Sequence, residues 1–538
     1  MKLKKNILLL CSGLMMIAGC GKTESFSENI NTDAVSSKVS EEVQDTSTIE
    51  DGRRKLNKES YYDKTYGGLL AELWGNFTGL PTEFHFTFTP NPAERVEWVV
   101  GETYSTDDDT SMEYVWTEAM ERYGVDTVSY KNLRDTWMKH IQDMIWCGNL
   151  RARELMENGL LPPDTGSKKY NASYNAIDAQ IESEIFGMLC PGNPKNAFER
   201  ALWWMSAVGD QDALMNSAFY AALASELYIN SDIHSAIQNV LDIVPSTASC
   251  KDVVSFVYAC KKKYTDWRDA RRLCLNKYYG DRDNLGAKIN FAMVILALLY
   301  GEGDFDKTGQ IACLAGFDND CNCATACVFM GILYGYSGLP EDMKAKSGNI
   351  YNNTNRPGLP SDTVSNWAKR VTLLGDEIIK NLGGEDLGET YVLVDGSYTG
   401  YPNESDDLVY LSPMSEAFTY YGPEKYYDEE TRFDYGYSTD KKGEYLEVKF
   451  KGEEIHLFAS RTTFGGEWKI EVDGKDYGNA KLKLNETFTK GAFVSQMYDI
   501  EVKKIVGLGD GIHTLKLTAM EDGGFQNIEA VLVQPQEA

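Results

Sequence analysis

The sequence predicts a multidomain chain, an all-α domain followed by an all-β sandwich. Two observations carry this. From about Tyr61 to Leu382 apolar residues recur every three or four positions, as in "LRDTWMKHIQDMIW", "AFERALWWMSAV" and "FAMVILALLYG". After about Gly388 they alternate instead, as in "EYLEVKFKGEEIHLFAS" and "EWKIEVDGKDY", with Asp-Gly and Gly-Gly turns between the runs. The 538 residues, 43% hydrophobic and 12% aromatic, are enough for two to four units of roughly 100–200 residues each.

The first element is an address. "MKLKKNILLLCSGLMMIAGC" has a Lys-rich start, an apolar run too short to span a bilayer comfortably, and small residues before a cysteine. It resembles a bacterial lipoprotein signal with Ile17-Ala18-Gly19-Cys20 as the lipobox. That implies cleavage before Cys20, lipid on its thiol and a place on the extracytoplasmic face of the cell membrane; an ordinary cleaved signal or an anchor helix would also export the chain. Residues 21–59, polar and Ser/Thr/Glu-rich, read as a flexible tether. The helical domain is expected over 60–385, ending where "LGGEDLGE" combines glycines with acids, and the sandwich over 386–538, as short alternating strands at regular spacing imply.

Charge narrows the partners. A formal net charge of -28 opposes binding to a phosphate backbone, and no arginine-rich stripe or base-stacking motif offsets it, so no nucleic-acid partner is expected. Nor does a GxSxG elbow, a P-loop or a dinucleotide-binding glycine fingerprint occur. Of the eleven cysteines, most stand in apolar, helix-like contexts where Cys acts as a small hydrophobe. "CNCATAC" lacks the second CxxC or His pair that a zinc site needs.

Two acidic clusters stand out. In "STDDDTSMEYVWTEAM" three adjacent aspartates, Asp107, Asp108 and Asp109, precede a helix. Thr110 followed by Glu113 reads as a capping box, which accounts for one acid at a helix start. Three together repel and raise one another's pKa unless a cation or solvent relieves them, and hard oxygen ligands suit Mg²⁺, Ca²⁺ or Mn²⁺. Some two hundred residues later, in "AGFDNDCNCATACVFMGILYG", Asp318 and Asp320 stand two apart before a helix. Its Ala324, Cys327, Gly331 and Gly335 form a small-residue stripe that permits close packing. Capping alone would explain this pair too.

Together with "YGGLLAELWGNFTGLPTE", a glycine-rich helix ending in Pro-x-Glu, these ordered motifs resemble the ADP-ribosylglycohydrolase family over roughly Tyr61 to Gly338. "LALLYGEGDFDKTGQIACLAGFDNDCNCAT" looks like its secreted branch. The resemblance implies an ADP-ribosylglycohydrolase-like orthogonal helical bundle holding two divalent ions, Mg²⁺ with Mn²⁺ or Ca²⁺ as the alternatives. The bond hydrolysed would be an α-linked ribosyl or other furanosyl-type bond. The family's first metal motif falls on Asp107, Asp108 and Asp109, or in another register on Thr106, Asp107 and Asp108. The second falls on Asp318, Asp320 and Cys321, with cysteine where the pattern has threonine, which leaves that ligand position open to Asn322 or water. Glu83 takes the place of the glutamate near the scissile bond, and Asp108 and Asp109 join it as expected catalytic groups. A histidine of many members is replaced by Gly209 or Asp210. The C-terminal part resembles the jelly-roll, galactose-binding-like modules of secreted glycosidases. The expected substrate is therefore a saccharide or an ADP-ribose-containing compound at the membrane surface; the alternatives are ADP-ribosyl-protein hydrolysis proper and metal-dependent glycan binding without catalysis.

Overall fold

The computed structural model describes residues 48–50, 53–105, 108–281, 284–402, 408–413, 415–433, 435–485 and 495–534. The signal, Cys20, most of the tether and Asp107 lie outside the described residues.

Helices fill the chain from Lys58 to Asn381 and antiparallel sheets follow, the order that the two periodicities predict. The helical part is built around one pair. Helix α1 (Lys58–Gly79) starts on Asn57, whose side chain accepts the Ser60 amide N–H at 2.9 Å. It lies along α9 (Asn319–Gly338) so closely that a Cβ on Gly67 would stand 2.5 Å from the Gly335 carbonyl carbon, and one on Gly75 2.5 Å from the Cys323 carbonyl oxygen. Glycine is thus required where backbone meets backbone. The stripe read from the α9 sequence has its partner here: Gly331 faces Gly67 and Ala71.

The other helices that position the site are α2 (Asp109–Tyr123), α3 (Cys147–Glu157), α4 (Glu184–Leu189), α5 (Pro194–Met205), α6 (Gln211–Glu226), α7 (Ala287–Gly301), α8 (Phe305–Ala315) and α10 (Val364–Asn381). Helix α7 is apolar on all sides and buried except at Lys288, as an all-round hydrophobic helix must be. Trp203 and Trp204 of α5 are packing residues: Trp204 is fully buried and Trp203 stacks on Tyr130 at 4.3 Å.

Strand β1 (Arg53–Asn57) pairs antiparallel with β2 (Thr390–Leu393), so chain beyond the helices returns to the start of α1. The segment after β2 stays on the helices. The Tyr398 N–H donates to Glu199 at 2.7 Å, and the Arg200 guanidinium lies 4.2 Å from the Tyr398 ring.

The sandwich strands are β3 (Val409–Leu411), β4 (Phe418–Tyr421), β5 (Tyr445–Lys451), β6 (Ile455–Thr462), β7 (Glu467–Val472), β8 (Lys475–Lys481), β9 (Gln496–Ile505), β10 (Ile512–Ala519) and β11 (Ala530–Val533). One antiparallel sheet runs β8-β7-β10-β5-β4 and the other β9-β6-β11-β3. Along β5 the inward Leu446, Val448 and Phe450 are buried and alternate with outward residues, and they share a core with Trp468, Ile470, Leu515 and Leu517. Tyr420 stacks on Tyr437 at 3.6 Å, Tyr421 and Tyr427 face solvent, and Tyr426 is half-buried, so the tyrosines of this region divide between packing and surface.

The sandwich also packs on α3 and the loop after it. Leu155, Leu160 and Tyr170 form a buried cluster with Leu484, Met497 and Ile500. The Asn485 N–H donates to Asn158 Oδ1 at 3.0 Å, and Lys169 pairs with Glu430 at 2.7 Å.

Candidate active site

The close approach of α1 and α9 builds the site. Gly79, the last residue of α1, lies directly against the backbone of Asn319 and Asp320. The Asn319 side-chain amide donates to the Gly79 carbonyl and to Thr82 Oγ1, both at 3.0 Å. Just beyond, the Phe84 N–H donates to the Phe317 carbonyl at 2.9 Å, and the Phe317 N–H to the Phe86 carbonyl at 3.1 Å. Both phenylalanines have positive φ, 56° and 65°, a conformation that costs energy in a bulky residue and is held by these bonds. Glu83 is thereby fixed, half-buried, beside the start of α9, where Asp318 is the cap and Asp320 lies in the first turn.

Helix α2 brings the other acids. Asp108 precedes it and Asp109 is its first residue, so Thr110 lies inside the helix rather than capping it. The expected capping box is absent. Glu113 turns inward and its Oε1 accepts the Ile185 N–H at 2.8 Å, at the start of α4. Asn76 of α1 donates to Asp109 Oδ2 at 2.7 Å.

Ligand atoms of Asp108, Asp109 and Cys321 lie within 4.8 Å of one another, and so do those of Asp318, Asp320 and Cys321. All five residues are buried, and Cys321 belongs to both groups, with its Sγ 3.7 Å from Asp109 Oδ2. Burial, then the Asp320 charge, then Glu83 and Asp108 push the Asp318 carboxyl well above the usual range. Burial and the neighbouring carboxylates likewise raise the Cys321 thiol. Asp318 Oδ1 is buried and makes no hydrogen bond among the described residues. Desolvated, like-charged oxygens converging on a common space are the donor set a hard divalent cation takes. Asn322 instead donates its side-chain amide to Asn290 Oδ1 at 2.7 Å, and so faces α7.

These groups line one wall of a pocket of about 350 Å³. Glu83, Asp108, Asp318, Asp320 and Cys321 form the acidic side, while Asp109 stands behind it. Phe84, Trp146, Ile177, Ile181 and Leu285 form an apolar side, joined by Cys147 and Asp178. Trp146 is 45% exposed at the mouth. Its loop has positive φ at Met144 and Cys147 and is held from below by Arg356, a fully buried side chain that donates to the Asp143 carbonyl at 2.7 Å and the Met144 carbonyl at 3.2 Å.

The sequence motifs did not point to Trp146, Asp178 or Phe84. They come from separate segments and carry no spacing relation to the aspartates, though Phe84 directly follows Glu83. His85 is exposed and does not line the pocket. Neither Gly209 nor Asp210 does so: a Cβ on Gly209 would meet the Ala179 methyl at 2.8 Å, and Asp210 caps α6, accepting the Gln211 N–H at 2.7 Å and the Lys168 N–H at 3.0 Å.

The model of the ADP-ribosylglycohydrolase family matches residues 57–374, more than half of the chain and all of the site. The chain belongs to the ADP-ribosylglycohydrolase family. Enzymes of this family hydrolyse glycosyl bonds. Among solved structures, an ADP-ribosylglycohydrolase-related protein complex aligns at 14% identity with TM-score 0.40, covering 59% of this chain and 99% of that one. A two-domain esterase active on acetylated mannans aligns at 16% identity with TM-score 0.21, covering 32% of this chain. The chain spans about half, 47%, of that esterase. The CBM36-1 domain of a multidomain xylanase from the hindgut metagenome of Trinervitermes trinervoides aligns at 14% identity with TM-score 0.17, covering 23% of this chain and 94% of the domain. No curated protein matches the chain.

Proposed function

We propose that this family domain is a divalent-metal-dependent glycosidase cleaving an α-linked ribosyl or other furanosyl-type bond, carried on a lipid-anchored protein at the cell surface. The observation that carries the reading is the convergence of Asp108, Asp318, Asp320, Cys321 and Glu83 on one pocket from three separate segments. Asp108, Asp109, Asp318 and Asp320 would hold the ions, two of them, with Mg²⁺ the expected species and the Cys321 sulfur, a soft donor, beside them. Bound there, they supply positive charge and Lewis acidity, which polarise water and sugar hydroxyls.

The chain's own groups do the rest. Glu83, half-buried at the rim, can give a proton to the leaving oxygen or nitrogen as the bond to C1 breaks. The carboxylates beside it stabilise positive charge developing at C1 and take the proton lost by the attacking water. Trp146 and Phe84, on the apolar side, offer faces against which a sugar or planar leaving group packs.

An export signal with a lipobox and an attached β-sandwich favour an extracellular saccharide or glycoconjugate over intracellular ADP-ribosylated protein. In this reading Cys20 holds the chain to the membrane and the sandwich meets carbohydrate. A non-catalytic, metal-dependent glycan binder is the second reading, favoured by the position of the missing histidine, where Gly209 has no room for a side chain and Asp210 is spent on capping. Sugar release from ADP-ribosyl-arginine, ADP-ribosyl-serine and a panel of furanosides, each with and without chelator, tests all of these. Chelator-sensitive release from a furanoside alone supports the proposal. Release only from the ADP-ribosyl compounds supports the narrower hydrolase, and metal-dependent binding without release supports the binder.

A further inference from the structure

Behind the acidic wall, three cysteines meet in the core between α8 and α9. Cys313 and Cys323 have no exposed surface, and their sulfurs lie 2.9 Å apart, inside ordinary sulfur–sulfur contact. Cys327, one turn further along α9, has its sulfur 3.8 Å from that of Cys323. Among the described residues only the two groups at the acidic wall bring three ligand atoms within 4.8 Å of one another, so this trio is not a three-thiolate metal site. The two free thiols share a hydrogen bond, and their sulfurs need less than 1 Å of further approach to reach the roughly 2.05 Å bond length of a disulfide, so thiol–disulfide chemistry is open to them.

We propose that Cys313 and Cys323 are a dithiol that closes to a disulfide, covalently linking α8 to the start of α9. The ring so closed contains Asp318, Asp320 and Cys321, so the bond staples the α8–α9 junction and the first turn of α9, which present part of the acidic wall. The oxidant is a small-molecule disulfide such as oxidised glutathione. One thiolate attacks it, forming a mixed disulfide and releasing one glutathione thiol. The second thiolate attacks the protein sulfur of that mixed disulfide and releases the other. The protein loses two hydrogens, and one glutathione disulfide becomes two thiols.

The test is thiol counting and linkage mapping on the full-length chain. The protein is held with oxidised glutathione, with and without urea below the unfolding midpoint so that burial does not hide the thiols, then denatured in alkylating agent and digested. The expected result is a Cys313–Cys323 linked peptide, two fewer alkylated thiols than in the reduced protein, and a melting temperature raised by roughly 4–8 °C on oxidation. Cys327→Ala should keep the link, and Cys313→Ala should lose both the link and the oxidation-dependent shift. Complete alkylation in both arms, a Cys323–Cys327 link, or a stable glutathione adduct would overturn the proposal.

Discussion

Replacing Gly75 by alanine tests how the site is built. Its Cβ would stand 2.5 Å from the Cys323 carbonyl oxygen, 2.7 Å from the carbonyl carbon and 2.8 Å from the Ala324 nitrogen. All three are backbone atoms of α9, so no side-chain rotation relieves them, and α9 must retreat by about 0.5 Å before the nearest contact reaches even 3.0 Å. Two effects oppose each other. Alanine gains about 1 kcal/mol of helix propensity over glycine, while overpacking against rigid backbone costs about 3 kcal/mol, leaving a net loss of about 2 kcal/mol. Gly68→Ala is the control, because its Cβ would meet side chains rather than backbone, Ile332 Cγ1 at 2.9 Å and the flexible end of Met188, Cε, at 3.2 Å. There the propensity gain should roughly cancel the crowding. Urea denaturation of the two variants beside the parent gives the comparison, and calorimetry gives metal affinity. Gly75→Ala should be the less stable and should bind divalent ions more weakly, since the displaced segment carries Asp320 and Cys321. If it were as stable as Gly68→Ala with unchanged metal affinity, the close α1–α9 contact would not be what places the acids.

Two further predictions concern the sandwich. Glu529 is buried beside Ser460, and burial raises its carboxyl to about 8, so the folded protein keeps a proton that the unfolded chain releases from about pH 4.5 upward. Its contribution is therefore fully present below pH 4.5 and is lost as pH rises through 8, by up to about 1.4 kcal/mol per pH unit between those values; Glu529→Gln should flatten that part of the stability–pH curve, and an unchanged slope would refute the assignment. Because β2 pairs with β1 and the Tyr398 segment packs on α5, a chain ending after Gly400 should melt at a higher temperature than one ending after Gly384. Equal melting temperatures would mean that residues 385–400 do not belong energetically to the helices.

The division into helices and sheets was legible because periodicity reports which face of each element is buried, and burial was the driving term in both halves. The acids were legible because like charges crowded at helix starts demand a reason. Their neighbours were not. Trp146, Asp178 and Leu285 reach the pocket on short connecting segments set by distant contacts such as that of Arg356 with Asp143 and Met144, and local sequence carries no trace of those. The capping box failed for a related reason: Glu113 satisfies the buried Ile185 N–H across the core, a tertiary demand that outweighs the local one. The small-residue stripe of α9 announced a close partner, but only the fold identified it as α1. Most of the described cysteines did behave as buried hydrophobes, Cys147 at the pocket being only half-buried, yet the approach of Cys313 to Cys323 required α8 and α9 to be placed first.

Whether the acidic wall holds divalent ions is decided by calorimetric titration of the chelator-treated full-length chain with Mg²⁺ and Mn²⁺, beside Asp320→Ala. Asp320 is buried among like charges, so its removal should cost the metal-free fold little while removing a ligand. Two ions should bind per parent chain, Asp320→Ala should abolish binding, and the two metal-free proteins should melt at similar temperatures. A parent chain that takes up no ion, or a variant that binds as tightly as the parent, would contradict a metal-holding acidic wall.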